Sequence, residues 1–333
     1  IRTLNHETVD RGPRDLWASA RIEMFCQDEL EEMLFRYPSD VQKCEFPYPR
    51  GRLARAAPGK LGRYTDAWGC DWHVTERGTR GQIVDHPLAD PARIAGYRPP
   101  LELLEKLTPA QVSRGCGMTA RFVLACTQTR PLERLQALRG PEAARADLAC
   151  GTGPIRDLLA MLHDFSCQEI ARWAATEVDG VFFRDDWGTP DGLVVAPEIW
   201  RDLFKPLYRD YCEILHEGDK FAFFCSGGDV RSIFEDLLEI GIDAIDTQLL
   251  LADLEGLAAR FRGRITFWAE IEPESTLARA TPEECRAAVH RVRRALDYGQ
   301  GGLIAKCRWD VDVPFENIAA VLEEWCQPVP TCF

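Results

Sequence analysis

Acidic and thiol side chains recur in this sequence directly after short apolar runs. The clearest stretch is KFAFFCSGGDV, Lys220 to Val230, in which an apolar run ends in Cys225 and a glycine pair precedes Asp229. Packed interiors prefer aliphatic side chains, so core packing alone does not predict such a recurrence. We therefore interpret these positions as a candidate functional site. The full set is Asp185, Asp186, Trp187, Cys225, Asp246, Gln248, Trp268, Glu270, Cys307 and Trp309.

Two thiols and a carboxylate from different strands have the chemistry of a zinc site with one open position. The candidates are Cys225, Glu270 and Cys307. Zinc lowers the pKa of a bound thiol or water and thereby generates a nucleophile at neutral pH. The structural alternative is that both cysteines fill space in the core and that Glu270 pairs with an arginine such as Arg308. The histidines do not add to the site, because all six fall in loops or in helical patterns.

Asp185 and Asp186 are adjacent, so on a strand their side chains point to opposite faces. The inward-facing one is a candidate acid, base or anchor for a cationic group, and the other can cap the loop WGTPDG. Together with Glu270 they form the predicted catalytic group. Trp187, Gln248, Trp268 and Trp309 are the predicted substrate-binding residues, with the three tryptophans equally interpretable as core or lid aromatics.

Alternating strands and helices position these residues. From about Gly117 onward, short runs rich in β-branched and aromatic residues predict six strands, in ARFVLACT, GVFFRDD, FAFFCSGG, DAIDTQ, RITFWAEI and GGLIAKCRW. The clearest helix lies between the last two, in TPEECRAAVHRVRRALDYG. There Thr281 and Glu284 form a capping box, Gly299 is a stop signal, and the apolar periodicity places Cys285 in the core.

Regular alternation of strands and helices predicts parallel strands with right-handed crossovers. A doubly wound sheet usually carries a glycine-rich phosphate loop, and neither of its common forms is present. The pattern therefore favours a (β/α)₈ TIM barrel, an α/β fold whose functional residues lie at the C-terminal ends of the strands. We interpret residues 1–333 as one domain. Its Pro- and Arg-rich residues 1–115 form an N-terminal cover with the first elements, and residues 116–333 form the main barrel repeats.

Composition narrows the classes of partner. The net charge of −13 argues against binding to nucleic acid or anionic membranes. No apolar run is long enough to span a bilayer and no secretory leader is visible, so we expect a cytoplasmic protein. The 13 cysteines include no C-x-x-C pair and are interpreted mostly as reduced, buried thiols. A homodimer is the commonest assembly for such a protein.

Ordered blocks along most of the chain resemble the uroporphyrinogen decarboxylase superfamily. They include YTDAWGCDW, DHPLADPARIAGYRPP, DDWGTPDGLVVAPEIWRDLFKPLYRDYCEILHEGDKFAFFCSGGDV, EIGIDAIDTQ, ITFWAEIEPE and VPFENIAAVLEEW. The resemblance implies a (β/α)₈ barrel. It also implies one of two activities, because the superfamily contains the decarboxylase itself and zinc-dependent, cobalamin-linked methyltransferases. The arginine-rich substrate-binding segment of the true decarboxylase has no counterpart in DRGPRDLWASARIEM.

The methyltransferase branch binds zinc through an H-x-C pair after one strand and a cysteine after the last strand. Cys307, seven residues before Pro314, corresponds to that last cysteine. Alignment on the flanking FF and GDV places Cys225 at the histidine and Gly227 at the cysteine of that pair, whereas a shift by one residue places Phe224 at the histidine. Either way only two of the three ligands remain, and Glu270 is the predicted replacement. The resemblance thus implies a zinc ion, and a corrinoid such as methylcobalamin or a separate corrinoid protein as methyl donor.

Three functional hypotheses remain open. The first is a metal-assisted methyltransferase acting on a small thiol or other methyl acceptor or donor. The second is a metal-free decarboxylase or lyase acting on an acidic small molecule. The third is a non-catalytic protein that binds a metal or a thiol through Cys225 and Cys307.

Overall fold

The computed structural model describes residues 1–45, 48–49, 51–55, 60–79, 81–105, 108–151, 153–248, 253–271 and 276–327. The strands are β1 (Arg14–Ala18), β2 (Val41–Glu45), β3 (Gly62–Thr65), β4 (Asp71–Val74), β5 (Gln82–Asp85), β6 (Phe122–Cys126), β7 (Gly180–Arg184), β8 (Gly188–Thr189), β9 (Gly192–Leu193), β10 (Phe221–Cys225), β11 (Ala244–Asp246), β12 (Thr266–Glu270) and β13 (Leu303–Trp309).

Eight of these strands form one parallel sheet in the order β1-β13-β12-β11-β10-β7-β6-β2. Its two end strands approach each other, since the Asp40 N–H donates to the Arg14 carbonyl at 2.8 Å and Lys43 Nζ donates to the Leu16 carbonyl at 3.0 Å. The sheet is therefore a nearly closed barrel, and the predicted (β/α)₈ fold is confirmed.

Helices connect the strands and cover the outside of the barrel. They are α1 (Ala20–Phe25), α2 (Gln27–Arg36), α3 (Pro109–Cys116), α4 (Pro131–Arg139), α5 (Pro141–Cys150), α6 (Gly153–Ala174), α7 (Pro197–Leu203), α8 (Lys205–Glu217), α9 (Phe234–Glu239), α10 (Leu254–Phe261), α11 (Pro282–Leu296) and α12 (Phe315–Trp325). The predicted capping box of α11 is present, with Thr281 Oγ1 accepting from the Glu284 N–H at 3.3 Å. Cys285 is buried on that helix, as its periodicity predicts.

All six predicted strands are present, and two more barrel strands lie in the N-terminal region. β1 contains Asp15 and β2 contains Lys43, and these charged residues interrupt what would otherwise be an apolar strand pattern. That interruption explains why sequence periodicity does not reveal them. The same region also forms the antiparallel sheet β3-β4-β5. Its Trp68 packs edge-to-face on Phe165 of α6, with ring centroids 4.7 Å apart.

Buried apolar residues form two separate clusters, one on each side of the barrel wall. The larger lies between strands and helices. The smaller fills the barrel interior and contains Leu4, Val41, Leu124, Phe182, Phe223, Cys225, Ala244, Trp268 and Ile304. Within the described residues, no helix combines the length and apolar character that crossing a membrane requires.

Candidate active site at the C-terminal end of the barrel

A buried ion network lies inside the barrel near the C-terminal ends of its strands. Lys306 on β13 forms ion pairs with Asp246 of β11 and, at 2.9 Å, with Glu270 Oε2 of β12. Lys306 and Asp246 are both almost fully buried. Arg308 Nε lies 3.1 Å from the other Glu270 oxygen, an ion pair without the alignment of a hydrogen bond. Two cations and two carboxylates thus converge from three neighbouring strands.

Strand register explains this convergence. Lys306 is the register partner of Glu270 on one side and of Asp15 on the other. Because alternate side chains of a strand face the same side, Ile304, Lys306 and Arg308 all point inward. Cys307 and Trp309 therefore point outward, toward the helices. Apolar residues fill the barrel near the N-terminal ends of the strands, and charged residues fill it near their C-terminal ends.

Lys306 and Cys225, which both contact Asp246, differ in charge. Burial alone would lower the pKa of Lys306, but the attraction of Asp246 and Glu270 outweighs it and raises that pKa, so the amine stays protonated. Cys225 donates its Sγ–H to Asp246 Oδ2 at 3.1 Å. Burial and the Asp246 carboxylate raise the pKa of the Cys225 thiol, so it is a neutral donor and not a thiolate nucleophile.

A second polar group adjoins the network at β1 and β2. Asp15 is fully buried, and its Oδ2 accepts hydrogen bonds from the indole N–H groups of Trp17 at 2.6 Å and Trp268 at 3.1 Å. Lys43 Nζ lies 3.8 Å from Asp15 Oδ1 and 3.9 Å from the centroid of the Trp17 ring. Lys306 also lies against that ring, 5.1 Å from its centroid, so the two groups form one continuous site.

Asp185 and Asp186 have different environments. Asp185 is buried and accepts hydrogen bonds from the N–H groups of Leu132 and Glu133, at 2.7 and 2.8 Å, and from the Tyr208 hydroxyl at 2.8 Å. It thereby binds the N-terminus of α4, and burial raises its pKa to about 7 despite these donors. Asp186 lies at the barrel mouth, where it accepts from Arg184 Nη2 at 3.0 Å and from the Gly227 N–H at 2.9 Å. Burial opposes ionisation of Asp186, but the Arg184 charge lowers its pKa overall.

The predicted substrate-binding residues divide between the two sides of the wall. Trp268 lies inside, beside Asp15, and Gln248 accepts from the Gly228 N–H at 2.9 Å at the end of β11. Trp187 is fully buried outside the barrel and donates its indole N–H to the Tyr208 hydroxyl at 3.0 Å. Trp309 is also in the outer cluster and donates to the Val313 carbonyl at 3.1 Å.

The structure does not bring the three predicted metal ligands together. Cys225 and Glu270 face the interior, whereas Cys307 packs in the outer cluster, and burial raises the pKa of its thiol. A Cβ at Gly227 would lie only 3.3 Å from Asp186 Oδ1, so that carboxylate occupies the space beside it. Within the described ranges, no three His, Cys, Asp or Glu side chains are grouped to hold a metal. The residues present do not fit the predicted zinc site, and Lys306 is the cation that neutralises Asp246 and Glu270.

The loop CSGG has a packing role of its own. Gly228 has φ of +68°, and a Cβ there would lie 2.1 Å from the Gly188 carbonyl carbon. The Gly188 N–H donates to the Gly227 carbonyl at 3.0 Å and the Trp187 N–H to Ser226 Oγ at 2.9 Å. The glycine pair therefore lets the loops after β7 and β10 meet at the barrel mouth.

Sequence reasoning missed Asp15, Trp17, Lys43 and Lys306. For Lys306 a signal exists, because a lysine in the middle of the apolar run LIAKCRW is costly to bury unless it is paired. Arg308 was considered only as a partner for Glu270, and the structure confirms that pairing.

A cavity of about 560 Å³ opens at the opposite, N-terminal end of the barrel. Its lining includes the apolar residues Leu4, Phe223 and Ile304, and its charged residues Arg11 and Asp40 pair with each other at 2.6 Å. Catalytic groups of (β/α)₈ barrels lie at the C-terminal end. The buried charges lie at that end here, so we place the candidate active site there.

Comparison with known proteins supports the fold and leaves the activity open. No family model matches the sequence, and no curated protein matches it. Among solved structures, a methyltransferase from Methanosarcina mazei superposes with a TM-score of 0.67, covering 97% of this chain and 96% of that one at 14% identity. An endo-β-1,4-xylanase from Gloeophyllum trabeum covers 96% of this chain and 98% of its own, with a TM-score of 0.49 and 11% identity. The first likeness establishes a shared fold, and the second is too weak to support an argument.

Proposed function

We propose that this chain is a barrel enzyme that acts as a decarboxylase or related lyase on a small anionic substrate, without a metal ion bound by Cys225. The observation that carries the proposal is the buried Lys306 ammonium, fixed between Asp246 and Glu270 at the C-terminal end of the barrel. The likeness to a methyltransferase supports the fold only, so the proposal rests on the site.

The burial of the ion network around Lys306 calls for a functional explanation. Desolvating charged groups costs several kcal/mol per ion, and well-packed apolar residues of similar volume are often equally stable. A preorganised cation in a site that excludes water stabilises negative charge that develops on a substrate in the transition state. Loss of CO₂ from a carboxylate leaves such a charge on carbon or on a conjugated oxygen. Lys306 is held in position to stabilise it.

Arginine side chains at the mouth suit the substrate's carboxylate. In the part of the chain that the structure describes, the Arg308 guanidinium donates no hydrogen bond, and its side chain is 36% exposed. Arg184 is similarly exposed and pairs with Asp186. Because a guanidinium can bind a carboxylate through two parallel hydrogen bonds, Arg308 is the expected anchor. Trp268 and Trp17 would form the apolar wall that excludes water.

The test is CO₂ release from a panel of small dicarboxylic and oxo acids, measured with protein that has been dialysed against a chelator. We expect turnover of at least one acid, and a loss of about a hundredfold in Lys306→Met and Arg308→Gln. Arg291→Gln is the matched control, because Arg291 pairs with Glu255 on the exterior. Failure of every acid to bind or react would contradict the proposal. So would activity that requires added zinc and disappears in Cys225→Ser.

Methyl transfer is the second candidate, because the sequence resembles a superfamily that contains methyltransferases and a methyltransferase shares this fold over nearly the whole chain. The sequence resemblance implies a corrinoid methyl donor and a small thiol acceptor for such a reaction. Incubation with methylcobalamin and a thiol, followed by visible absorption, distinguishes the candidates. Thiol-dependent demethylation of the corrinoid, with no CO₂ release from any acid, would favour methyl transfer.

A further inference from the structure

We propose that Lys43 is a nucleophilic amine that forms an imine with the carbonyl group of an oxo-acid substrate, with Asp15 as its proton carrier. This inference deepens the proposed lyase function and rests on it, because it names the substrate class and the covalent step. It is carried by the contrast between the two lysines of the site and by an oxygen of Asp15 that has no hydrogen-bond partner among the described residues.

The two lysines differ in access and in pairing. The Lys306 side chain is only 5% exposed and contacts two carboxylates. The Lys43 side chain is 26% exposed, and its nearest carboxylate oxygen, Oδ1 of Asp15, is 3.8 Å away, beyond hydrogen-bond distance. Its one described hydrogen bond is to the Leu16 carbonyl at 3.0 Å. Lys43 is therefore the more accessible of the two lysines.

Burial shifts Lys43 toward its neutral amine, which is the nucleophilic form. Burial is the main effect that lowers the pKa of Lys43, and the Lys306 charge acts in the same direction. The carboxylates of Asp15 and Glu23 and the Cys126 thiol act against it. A lysine desolvated beside another cation is a recognised way to activate an amine.

Asp15 supplies an independent observation. It is completely buried, and its Oδ2 is held by two indole N–H groups, whereas its Oδ1 has no hydrogen-bond partner among the described residues. Native proteins rarely leave a buried carboxylate oxygen unpaired, so such an oxygen indicates a functional demand. It points toward Lys43, and burial raises the pKa of Asp15, which suits a group that takes up and releases a proton.

The proposed step balances without a further reagent. The neutral amine attacks the carbonyl carbon, and the carbonyl oxygen leaves as water with one proton from the amine and one from the Asp15 carboxyl group, which leaves an iminium on Lys43. In the resulting iminium of a 3-oxo acid, the electron pair of the carboxylate's carbon–carbon bond moves toward nitrogen as CO₂ departs. Protonation of the enamine and hydrolysis then release a ketone and restore the amine. Arg308 would hold the carboxylate before it leaves.

The experiment is borohydride trapping. Protein is incubated with acetoacetate or oxaloacetate and sodium borohydride, and the reduced adduct is located by intact-mass and peptide mass spectrometry. We expect one adduct per chain on Lys43, its loss in Lys43→Arg, and its retention in Lys220→Arg, because Lys220 lies at the N-terminal end of β10. Asp15→Asn should slow adduct formation about tenfold or more without weakening binding of the acid.

The outcomes separate the two proposals. If an oxo acid binds or is decarboxylated but no adduct forms on Lys43, the imine is wrong and the lyase proposal survives. If an adduct persists in Lys43→Arg or maps to another lysine, the assignment of Lys43 is wrong. If neither acid binds and no acid of the wider panel reacts, the proposed function itself fails. Circular dichroism of Lys43→Arg shows whether the variant is folded, and the retained cation makes that the expected result.

Discussion

The inner and outer sides of the barrel wall use charge in different ways. Inside, Lys306, Asp246 and Glu270 are buried and contact one another. Outside, ion pairs such as Arg291 with Glu255 are half exposed and lie between helices. Exposed pairs contribute little to stability, whereas removing one partner of a buried pair leaves an uncompensated charge. Burying the interior charges costs folding free energy, so their presence needs a functional explanation. The exterior ion pairs need none.

The largest expected effect comes from removing the interior cation. Lys306→Met should lower the free energy of unfolding by about 3–5 kcal/mol, because Asp246 would remain buried without a cation and Glu270 would keep only Arg308. Urea denaturation followed by tryptophan fluorescence measures the change. Arg291→Gln, on the exterior, should leave the urea midpoint within experimental error.

A compensated variant sharpens the same comparison. Adding Asp246→Asn to Lys306→Met removes the unpaired carboxylate and keeps the Glu270–Arg308 pair, so most of the lost stability should return while activity stays absent. If Lys306→Met alone were as stable as the native protein, the interior network would not be buried as the structure describes.

A smaller effect distinguishes the two strand-end thiols. Cys307 packs in the outer cluster, so Cys307→Ala should cost about 1 kcal/mol of stability and leave substrate binding unchanged. Cys225 faces the interior and donates to Asp246, so Cys225→Ala should weaken substrate binding or turnover. Unfolding curves and the activity of the two variants test this. An equal loss of activity in both, with loss of a bound zinc ion, would restore the metal hypothesis.

The contrast between these thiols shows which features of the site can be predicted from the sequence. Apolar runs located β10, β12 and β13 and the strand ends where charged residues gather, because those signals are local. Cys307 and Cys225 look equivalent in the sequence because both end an apolar run. Whether a side chain faces the barrel interior, however, depends on the two-residue period counted from a residue known to face inward. Starting that period at Ile304 selects Lys306 and Arg308 and excludes Cys307.

Other parts of the site depend on distant pairing and could not be predicted locally. Asp15 lies beside Lys306 only because β1, near the start of the chain, pairs with β13, the last strand. Asp185 ends a strand like the other acidic residues, yet its oxygens bind the N-terminus of α4. Counting the two-residue period from the inward-facing Phe182 selects Asp186, but the binding of Asp185 to α4 depends on how that helix packs.

The smallest expected effect concerns an exterior pair that titrates near neutrality. His216 Nε2 lies 2.9 Å from Asp243 Oδ2, and this hydrogen bond raises the pKa of His216 above its usual value despite partial burial. The folded protein therefore binds the proton more tightly than the unfolded chain does. The stabilising contribution is fully present below a pH of about 6.5 and disappears as the pH rises through the higher pKa of the folded state.

Replacing this histidine tests the sign and the size of the exterior contribution. The native protein should be more stable relative to His216→Gln at pH 5.5 than at pH 8.5, by less than about 1 kcal/mol, because 43% of the His216 side chain is exposed. Urea unfolding at several pH values measures the difference. A difference that grows with pH, or one as large as that of Lys306→Met, would mean that exterior and interior pairs do not differ as proposed.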